Sequence, residues 1–219
     1  TFSSRGLGDV YKRQSISLAF ISSSFIMLLS LLMIIVGAYK SNNFQKILIF
    51  FASSGYAFPG TILAVGIVVF VGWLNDLIYF RMSYAVGGFI ILLFAYSIRF
   101  LAVGNGAITS GISRIHPNLL DASRTMGVSF FKSIRKIILP LLYTNLLVGG
   151  ILVFVDILKE LPITLLLRPF NFETLATYVY QYASDEMLEE SAFAALIIVI
   201  AGLGPVIFLN RTITKSIKN

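Results

Sequence analysis

Five stretches of the chain are almost entirely apolar, and shorter polar segments separate them. They are 15–38, 57–74, 84–101, 139–158 and 191–209. A bilayer core about 30 Å thick needs about 20 helical residues at about 1.5 Å each, so every stretch is long enough to cross it. Backbone amides in lipid must be bonded within the chain, and the alternation typical of barrel strands is not visible. The pattern therefore predicts five membrane-spanning helices.

The composition strengthens this prediction. The chain is 57% hydrophobic and only 12% charged, with a mean hydropathy of +0.88, whereas charged residues make up roughly a quarter of soluble domains. We therefore predict an all-α membrane protein, a polytopic transmembrane helix bundle in contact with lipid. The net charge of +7 does not indicate nucleic acid, because no basic stretch is interleaved with aromatic residues as single-strand binding requires.

The charge is distributed unequally between alternate loops. Loops 39–56, 99–138 and 210–219 hold eleven Lys and Arg, Arg99 among them, against the single acid Asp121. Segments 75–83 and 156–190 hold eight acids against three basic residues. Because Lys and Arg are retained on the cytoplasmic side, the first set is predicted to be cytoplasmic, together with the C-terminus. The segment 159–190 is predicted to lie outside.

Residues 1–14, TFSSRGLGDVYKRQ, are polar and end abruptly where the first apolar stretch begins. They lack the apolar core of a signal peptide and look like translated adapter sequence. We predict a non-native or disordered leader, with a natural hydrophilic loop as the alternative. Residues 15–219 then form the transmembrane domain.

Several kinds of catalytic and metal chemistry have no support in the sequence. The chain has no Cys and a single His, His116, which is more typical of a loop residue than of a metal ligand without a second ligand nearby. Zinc-protease, nucleophile-elbow and phosphate-loop patterns are absent. We predict that the chain is not an enzyme, binds no cofactor itself and has no assigned metal site.

One polar and basic segment, Asp121–Pro140, interrupts the apolar pattern between the third and fourth stretches. Its pattern predicts a short amphipathic helix, a left-handed turn at Gly127, a second helix capped by Ser129, and entry into a span at Pro140. The predicted first helix starts near Pro117 and presents three apolar residues on one side: Leu119, Ala122 and Met126.

The same segment resembles a family motif. Asp121-Ala122-Ser123, three residues, Gly127, nine residues and then Ile137-x-Leu139-Pro140 is similar to the Glu-Ala-Ala-x3-Gly-x9-Ile-x-Leu-Pro loop of binding-protein-dependent ABC importer permeases. The resemblance implies the type I (MetI-like) permease fold and a cytoplasmic loop, 102–138, that docks a separate ATPase carrying ATP and Mg. It assigns docking to Asp121, Ala122, Ser123, Gly127, Ile137, Leu139 and Pro140. Asp121 and Ser123 depart from the motif's Glu and Ala, which alters the polar contact.

The segment 156–190 is too interrupted to span the membrane. Ionisable residues at a membrane boundary favour a water-filled or protein-lined setting, so four of them are candidates for the solute path or for contact with a binding protein: Asp156, Lys159, Glu160 and Arg168. A folded loop with solvated charges is the alternative. The acids from Asp185 to Glu190 offer hard oxygen ligands, although solvation or partner docking explains them equally well.

The stretch KELPITLLLRPFNFETLATYVYQYASDE resembles ferric-iron importer permeases, in which two similar halves are commonly fused. This implies Fe3+ as cargo, an external solute-binding protein, and a second permease half in a missing N-terminal part of the same polypeptide. It also implies a bacterial inner-membrane location. The alternatives are import of a polyamine, sulfate or thiamine by the same architecture, an ATP-independent carrier or channel, and a membrane anchor or scaffold.

Overall fold

Long helices dominate the fold. The computed structural model describes residues 2–39, 43–78, 84–116 and 118–218, and its regular elements in these ranges are all helical, so the predicted all-α class is confirmed. The helices are α1 (Phe2–Tyr39), α2 (Asn43–Ser54), α3 (Gly60–Ile78), α4 (Tyr84–Ile112), α5 (Asn118–Thr125), α6 (Phe130–Ser133), α7 (Leu139–Leu158), α8 (Pro162–Leu167), α9 (Leu175–Ser184) and α10 (Leu188–Lys218). A 3-10 turn (Gly55–Ala57) follows α2, and a π-helical turn (Ile134–Ile138) joins α6 to α7.

The centre of the bundle is built from α1, α4 and α7. Helices α4 and α7 are antiparallel, because Asn145 donates to the Ala107 carbonyl at 3.1 Å while Glu160 pairs with Arg99 further along. Gly149 brings α7 so close to Ala107 that an added Cβ would lie 2.7 Å from the Ala107 Cβ. Small residues thus allow close helix packing, as expected in lipid.

The helix boundaries correct several predicted ones. Three helices are long and apolar enough to cross a membrane, at Val10–Gly37, Gly88–Ile112 and Phe130–Leu158. A fourth span is possible if Lys46–Ala57 and Gly60–Asn75, which meet at a bend of 117°, count as one. The predicted cytoplasmic loop 39–56 is therefore mostly helix α2. The fifth predicted span, 191–209, falls within α10, which is not among the helices that pass this test in the described residues.

Helix α4 continues to Ile112, so 102–112 is helix and not part of the predicted loop. Its polar positions are tolerated because they are packed: Asn105 is 3% exposed and donates to Ser53 on α2 at 3.2 Å. Gly104 lies so close to Ser30 of α1 that an added Cβ would be 2.4 Å from the Ser30 Oγ. Tertiary contacts therefore extend the helix beyond its apolar stretch.

Residues 2–14, the predicted leader, are helical and continuous with the first span. The Tyr11 ring lies 5.4 Å from that of Tyr178, and the Gln14 side chain accepts a hydrogen bond from the Glu173 N–H at 3.3 Å. The non-native or disordered character of the leader stays a prediction.

Candidate functional site

The segment Asp121–Pro140, which we call the docking segment, folds as helix, turn and helix. Helix α5 ends in a turn where the Val128 N–H donates to the Ser123 carbonyl at 3.0 Å. Gly127 has a φ of +72°, a conformation that glycine adopts without strain and that most other residues avoid. The predicted left-handed turn is confirmed.

Two buried serines fix α5 against the following helix. Ser123 is 1% exposed and Ser133 is fully buried, and their hydroxyl oxygens lie 3.0 Å apart. The Ser133 hydroxyl also donates to the Ser129 carbonyl at 3.2 Å. Ser129 occupies the N-cap of α6 but makes no side-chain cap, contrary to the prediction. Ser123, assigned to docking by the family motif, therefore faces inward and positions the two helices.

Part of the surface of the docking segment is apolar and exposed. Leu119 is 40% exposed, Met126 72% and Phe131 81%, and Ala122 is also exposed. Exposed apolar side chains of this size in a polar segment are typical of an interaction surface. The side chain of Asp121 is outside the described part of the structure, although its backbone lies in α5.

The second helix of the docking segment enters the membrane span through the π turn. The Leu139 N–H donates to the carbonyl of Ile134, five residues back, and Pro140 follows without an N–H of its own. Ile137 and Leu139 are half-buried, Ile138 is buried and Pro140 is exposed. Three of the motif residues therefore lie where the loop joins the bundle. Wide turns of this kind occur frequently at functional sites.

A second polar region lies between α4 and the junction of α7 with α8. We call Tyr96, Arg99, Glu160 and Thr164 the Arg99 cluster. The Arg99 Nε lies 3.3 Å from a carboxylate oxygen of Glu160, and the two side chains are 20% and 8% exposed. Arg99 belongs to a predicted cytoplasmic loop and Glu160 to the predicted external segment, and their contact shows that this placement on opposite sides of the membrane is wrong.

Several further contacts converge on this pair. Arg99 Nη1 donates to the Phe58 carbonyl at 2.8 Å, just before α3. The Glu160 carboxylate accepts from the Ile163 N–H at 3.4 Å, and the Thr164 hydroxyl donates to the Glu160 carbonyl at 2.7 Å. The hydroxyls of Tyr96 and Thr164 are 2.5 Å apart. The cluster therefore joins α4 to two helix breaks, one before α3 and one before α8.

The space at this junction depends on Gly60. An added Cβ at Gly60 would lie 2.8 Å from the Glu160 Oε1 and 3.2 Å from the Arg99 Nη1. The first residue of α3 thus packs directly on the ion pair. Nothing in the sequence around Gly60 indicates this contact, because Arg99 and Glu160 are distant from it along the chain.

The four charged residues predicted for the path fall into three settings. Glu160 is buried in the Arg99 cluster. Lys159 bonds to Asp156 at 2.8 Å, with 63% of the Lys159 side chain exposed but only 16% of the Asp156 side chain. Arg168 pairs with Glu173 on the far side of α8, within the connection to α9. The structure therefore brings Asp156, Lys159 and Glu160 together and leaves Arg168 apart.

Helix α9 forms an aromatic surface beyond α8. The Tyr178 and Tyr182 ring centroids are 4.3 Å apart. Burial, and to a smaller extent the hydrogen bond with Tyr182, raises the pKa of Tyr178 to about 12. The Tyr178 hydroxyl is therefore neutral at physiological pH. Among the described residues, no group of three or more His, Cys, Asp and Glu side chains is placed to hold a metal ion.

Comparison with known proteins gives relatives of one kind. Over 157 residues the chain is 25% identical to the Fe(3+)-transport system permease protein FbpB 2 of Haemophilus influenzae, an alignment that covers 71% of this chain and 29% of that protein. It is 24% identical over 163 residues to the spermidine/putrescine transport system permease protein PotC homolog of Mycoplasma genitalium, covering 74% and 55%. The chain thus spans less than a third and about half of these two relatives.

Solved structures share the fold at low sequence identity. An amino acid ABC transporter superposes with a TM-score of 0.67 at 17% identity, covering 96% of this chain and 94% of that one. The MetNI methionine ABC transporter gives a TM-score of 0.60 at 14% identity, covering 90% and 92%. The predicted MetI-like permease fold is confirmed.

The family assignment comes from the longest match along the sequence. Residues 30–219 match the family described as "Binding-protein-dependent transport system inner membrane component". This range includes the docking segment, the Arg99 cluster and α8 to α10. The chain belongs to this family, the membrane permeases of binding-protein-dependent ABC importers.

Proposed function

We propose that the chain forms part of the translocation path of an ABC importer and that its docking segment receives a separate ATPase. The observation that carries this proposal is the exposed apolar side of α5, held by Gly127 and by the Ser123–Ser133 contact and joined through the π turn to a membrane span. A short rigid helix outside the bilayer transmits a push to the span that follows it, as alternating access requires. ATP and Mg then belong to the partner ATPase.

The proposed membrane partner is a second permease half. Relatives of this chain are longer than the aligned region, and the exposed ammonium of Lys159 at the end of α7 needs protein or water beside it, because lipid is unfavourable for a charge. A second half across this face supplies such a setting. We propose that the two halves enclose the path and that an external binding protein delivers the solute to it.

The proposed orientation places the docking segment and the C-terminus in the cytoplasm of a bacterial cell with the protein in its inner membrane. Lys132, Arg135 and Lys136 in α6 and the π turn support this orientation, since basic residues concentrate on the cytoplasmic side. Helices α8 and α9 then lie towards the outside.

Fe3+ is the proposed cargo. The support comes from the name of FbpB 2 and from the resemblance of 159–186 to ferric-iron permeases. A polyamine is the second candidate, because the PotC homolog is named for spermidine and putrescine. Sulfate and thiamine have no comparable support in these two relatives. An ATP-independent carrier is disfavoured by the exposed docking surface, which such a carrier does not need.

Uptake by the full-length protein tests both the importer function and the identity of the cargo. The protein, with its ATPase and binding protein, is reconstituted into vesicles, and labelled Fe3+, putrescine and sulfate are supplied with ATP and without it. ATP-dependent uptake of Fe3+ is the expected result. ATP-dependent uptake of another solute alone refutes iron as cargo, and uptake that proceeds equally without ATP refutes the importer function.

A matched pair of variants isolates the docking segment in the same vesicles. Met126→Glu places a negative charge among the exposed apolar residues just after α5, whereas Asn118→Asp places the same charge at the exposed first residue of α5. The first is expected to weaken ATPase binding by about tenfold, as for a well-buried interface residue, and the second much less. Equal ATPase binding by both variants contradicts the docking role.

A further inference from the structure

We propose that Arg99 and Glu160 are a positioning pair for the translocation path: they hold two helix breaks together so that Tyr56, Asp156 and Lys159 face the solute. The inference rests on the proposed transport function for the identity of the path, while the positioning itself can be measured without any cargo. The docking segment does not include Arg99.

The position of Arg99 in α4 is the first step. Helix α4 has its apolar span at Gly88–Ile112, and Arg99 lies 11 residues from one end and 13 from the other by the sequence numbering. At about 1.5 Å per residue, Arg99 is therefore roughly 15–20 Å along the helix from either end of this apolar stretch. An ionisable residue inside an apolar span is normally paired and functional, because an unpaired charge in the bilayer is unfavourable.

The second step is what the pair connects. Arg99 uses two different nitrogens, with Nη1 on the Phe58 carbonyl and Nε beside Glu160. Phe58 belongs to the bend between α2 and α3, and Glu160 to the break between α7 and α8. Irregular backbone at membrane depth occurs where it is buried in protein or lines a cavity, and discontinuous helices commonly form transporter solute sites near the bilayer midplane.

The third step is what the two breaks expose. Tyr56, in the 3-10 turn two residues before Phe58, is 51% exposed, and Lys159, directly before Glu160, has 63% of its side chain exposed. Asp156 holds the Lys159 ammonium from one turn back in α7. One polar residue from each break thus projects outward, while the neighbouring residue of each break is bound by Arg99. Movement of the pair therefore moves both exposed groups.

The geometry also explains why arginine is required. The guanidinium of Arg99 contacts Phe58 and Glu160 through two separate nitrogens of one planar group. A lysine has a single ammonium nitrogen and cannot make both contacts in this way. The Arg99 Nε has no hydrogen-bond partner among the described residues, so its contact with Glu160 is a charge pair rather than an aligned hydrogen bond. Exchange of the two charges should therefore restore the Glu160 link while losing the Phe58 link.

Transport in vesicles gives the first measurement. Arg99→Ala and Glu160→Gln are compared with the charge exchange Arg99→Glu/Glu160→Arg and with Ser97→Ala, a control two residues away whose hydroxyl donates to the Leu93 carbonyl of its own helix. Each single variant is expected to lower solute transported per ATP by about tenfold, consistent with misplacement of a site. The charge exchange is expected to recover part of the lost transport. Ser97→Ala is expected to transport as the wild type does.

Thiol labelling gives a second measurement that needs neither cargo nor ATPase. The chain contains no cysteine, so Tyr56→Cys and Lys159→Cys each introduce a single thiol for a charged, membrane-impermeant reagent. Both thiols are expected to react, and Arg99→Ala is expected to change both rates together. Leu188→Cys, at the exposed start of α10, serves as the control whose rate Arg99→Ala should not change.

The outcomes separate the two proposals. If the wild type shows no ATP-dependent uptake but Arg99→Ala still shifts both labelling rates, the proposed function fails and the positioning role stands. If Arg99→Ala transports and labels as the wild type does at equal abundance, the positioning role is wrong. It is also wrong if both single variants lose activity only in proportion to their abundance and the charge exchange restores nothing.

Discussion

The docking segment and the Arg99 cluster are both polar, yet they are stabilised over very different distances along the chain. In the docking segment, Ser123 contacts Ser133, ten residues away. In the cluster, Tyr96 contacts Thr164, 68 residues away, and Arg99 reaches back 41 residues to Phe58. The first region is a local element that can move as a unit. The second fixes α4 relative to the helices on either side, so changes there should affect the whole bundle.

The largest effect is expected at Gly127. Gly127→Trp combines a side chain at positive φ, strained by about 1–2 kcal/mol, with bulk that projects outward, since an added Cβ there meets no atom within 4 Å. ATP-dependent transport should be abolished while membrane insertion is retained, as measured by vesicle uptake and by abundance in the membrane.

Two controls sharpen this prediction. Gly127→Asn, which tolerates the left-handed region, should keep most of the activity. Gly106→Ala, a helical glycine with equally open surroundings, should behave as the wild type. Full transport by Gly127→Trp contradicts a coupling role for the docking segment.

The next effect concerns the bend beside the Arg99 cluster. A Cβ at Gly55 would lie 2.0 Å from the Ile98 carbonyl oxygen, so Gly55→Ala must displace backbone and should reduce the free energy of unfolding by about 1–3 kcal/mol, as overpacking does. Thermal unfolding of the complex in detergent measures it. Gly66→Ala, with no atom within 4 Å, is the control, and equal stability of the two variants contradicts the close approach.

A smaller effect is expected from the buried serines of the docking segment. Ser123→Ala or Ser133→Ala alone removes one hydrogen bond between buried hydroxyls, at a cost of about 0.5–1.5 kcal/mol, whereas the double variant removes both hydroxyls and should be less destabilised than the sum. A double-mutant cycle on ATPase affinity and on stability tests this coupling. Strict additivity means that the two hydroxyls do not interact.

The smallest effects distinguish two helix starts. Thr174 caps α9 in a reciprocal capping box with Thr177, so Thr174→Ala should cost about 1 kcal/mol. Ser129 makes no side-chain cap on α6, so Ser129→Ala should change stability by less than about 0.5 kcal/mol. Chemical unfolding measures the stability of the two variants. A larger loss of stability in Ser129→Ala than in Thr174→Ala contradicts the assignment of the caps.

The local element was largely predictable. Gly127 is a left-handed glycine because a helix must end before the next one begins, and the spacing from it to Pro140 is visible in the sequence. The inward direction of Ser123 was not predictable, since a serine in the place of the motif's alanine can face either side of a short helix. Only the contact with Ser133 decides it.

The Arg99 cluster was missed because its stability comes from distant partners. The charge rule places Arg99, near the end of an apolar stretch, at the cytoplasmic boundary. In the structure, however, α4 continues to Ile112. The available signal was the apolar sequence on both sides of Arg99, IILLFAYSI before it and FLAV after it. A charge inside such a stretch requires a partner, but nothing in the sequence identifies Glu160 as that partner.

The π turn has a consequence for the alignment of the two ends of the docking segment. Its wider coil, with Leu139 bonded five residues back to Ile134, adds one residue relative to an ordinary α-helical turn, which corresponds to about 100° of rotation at 3.6 residues per turn. The extra residue therefore rotates α5, the proposed ATPase-docking helix, relative to the face of α7 that packs on α4. Removing one residue from 134–138 would leave the residues of α5 and α7 unchanged. It would rotate the exposed side of α5 relative to the side of α7 that packs on α4.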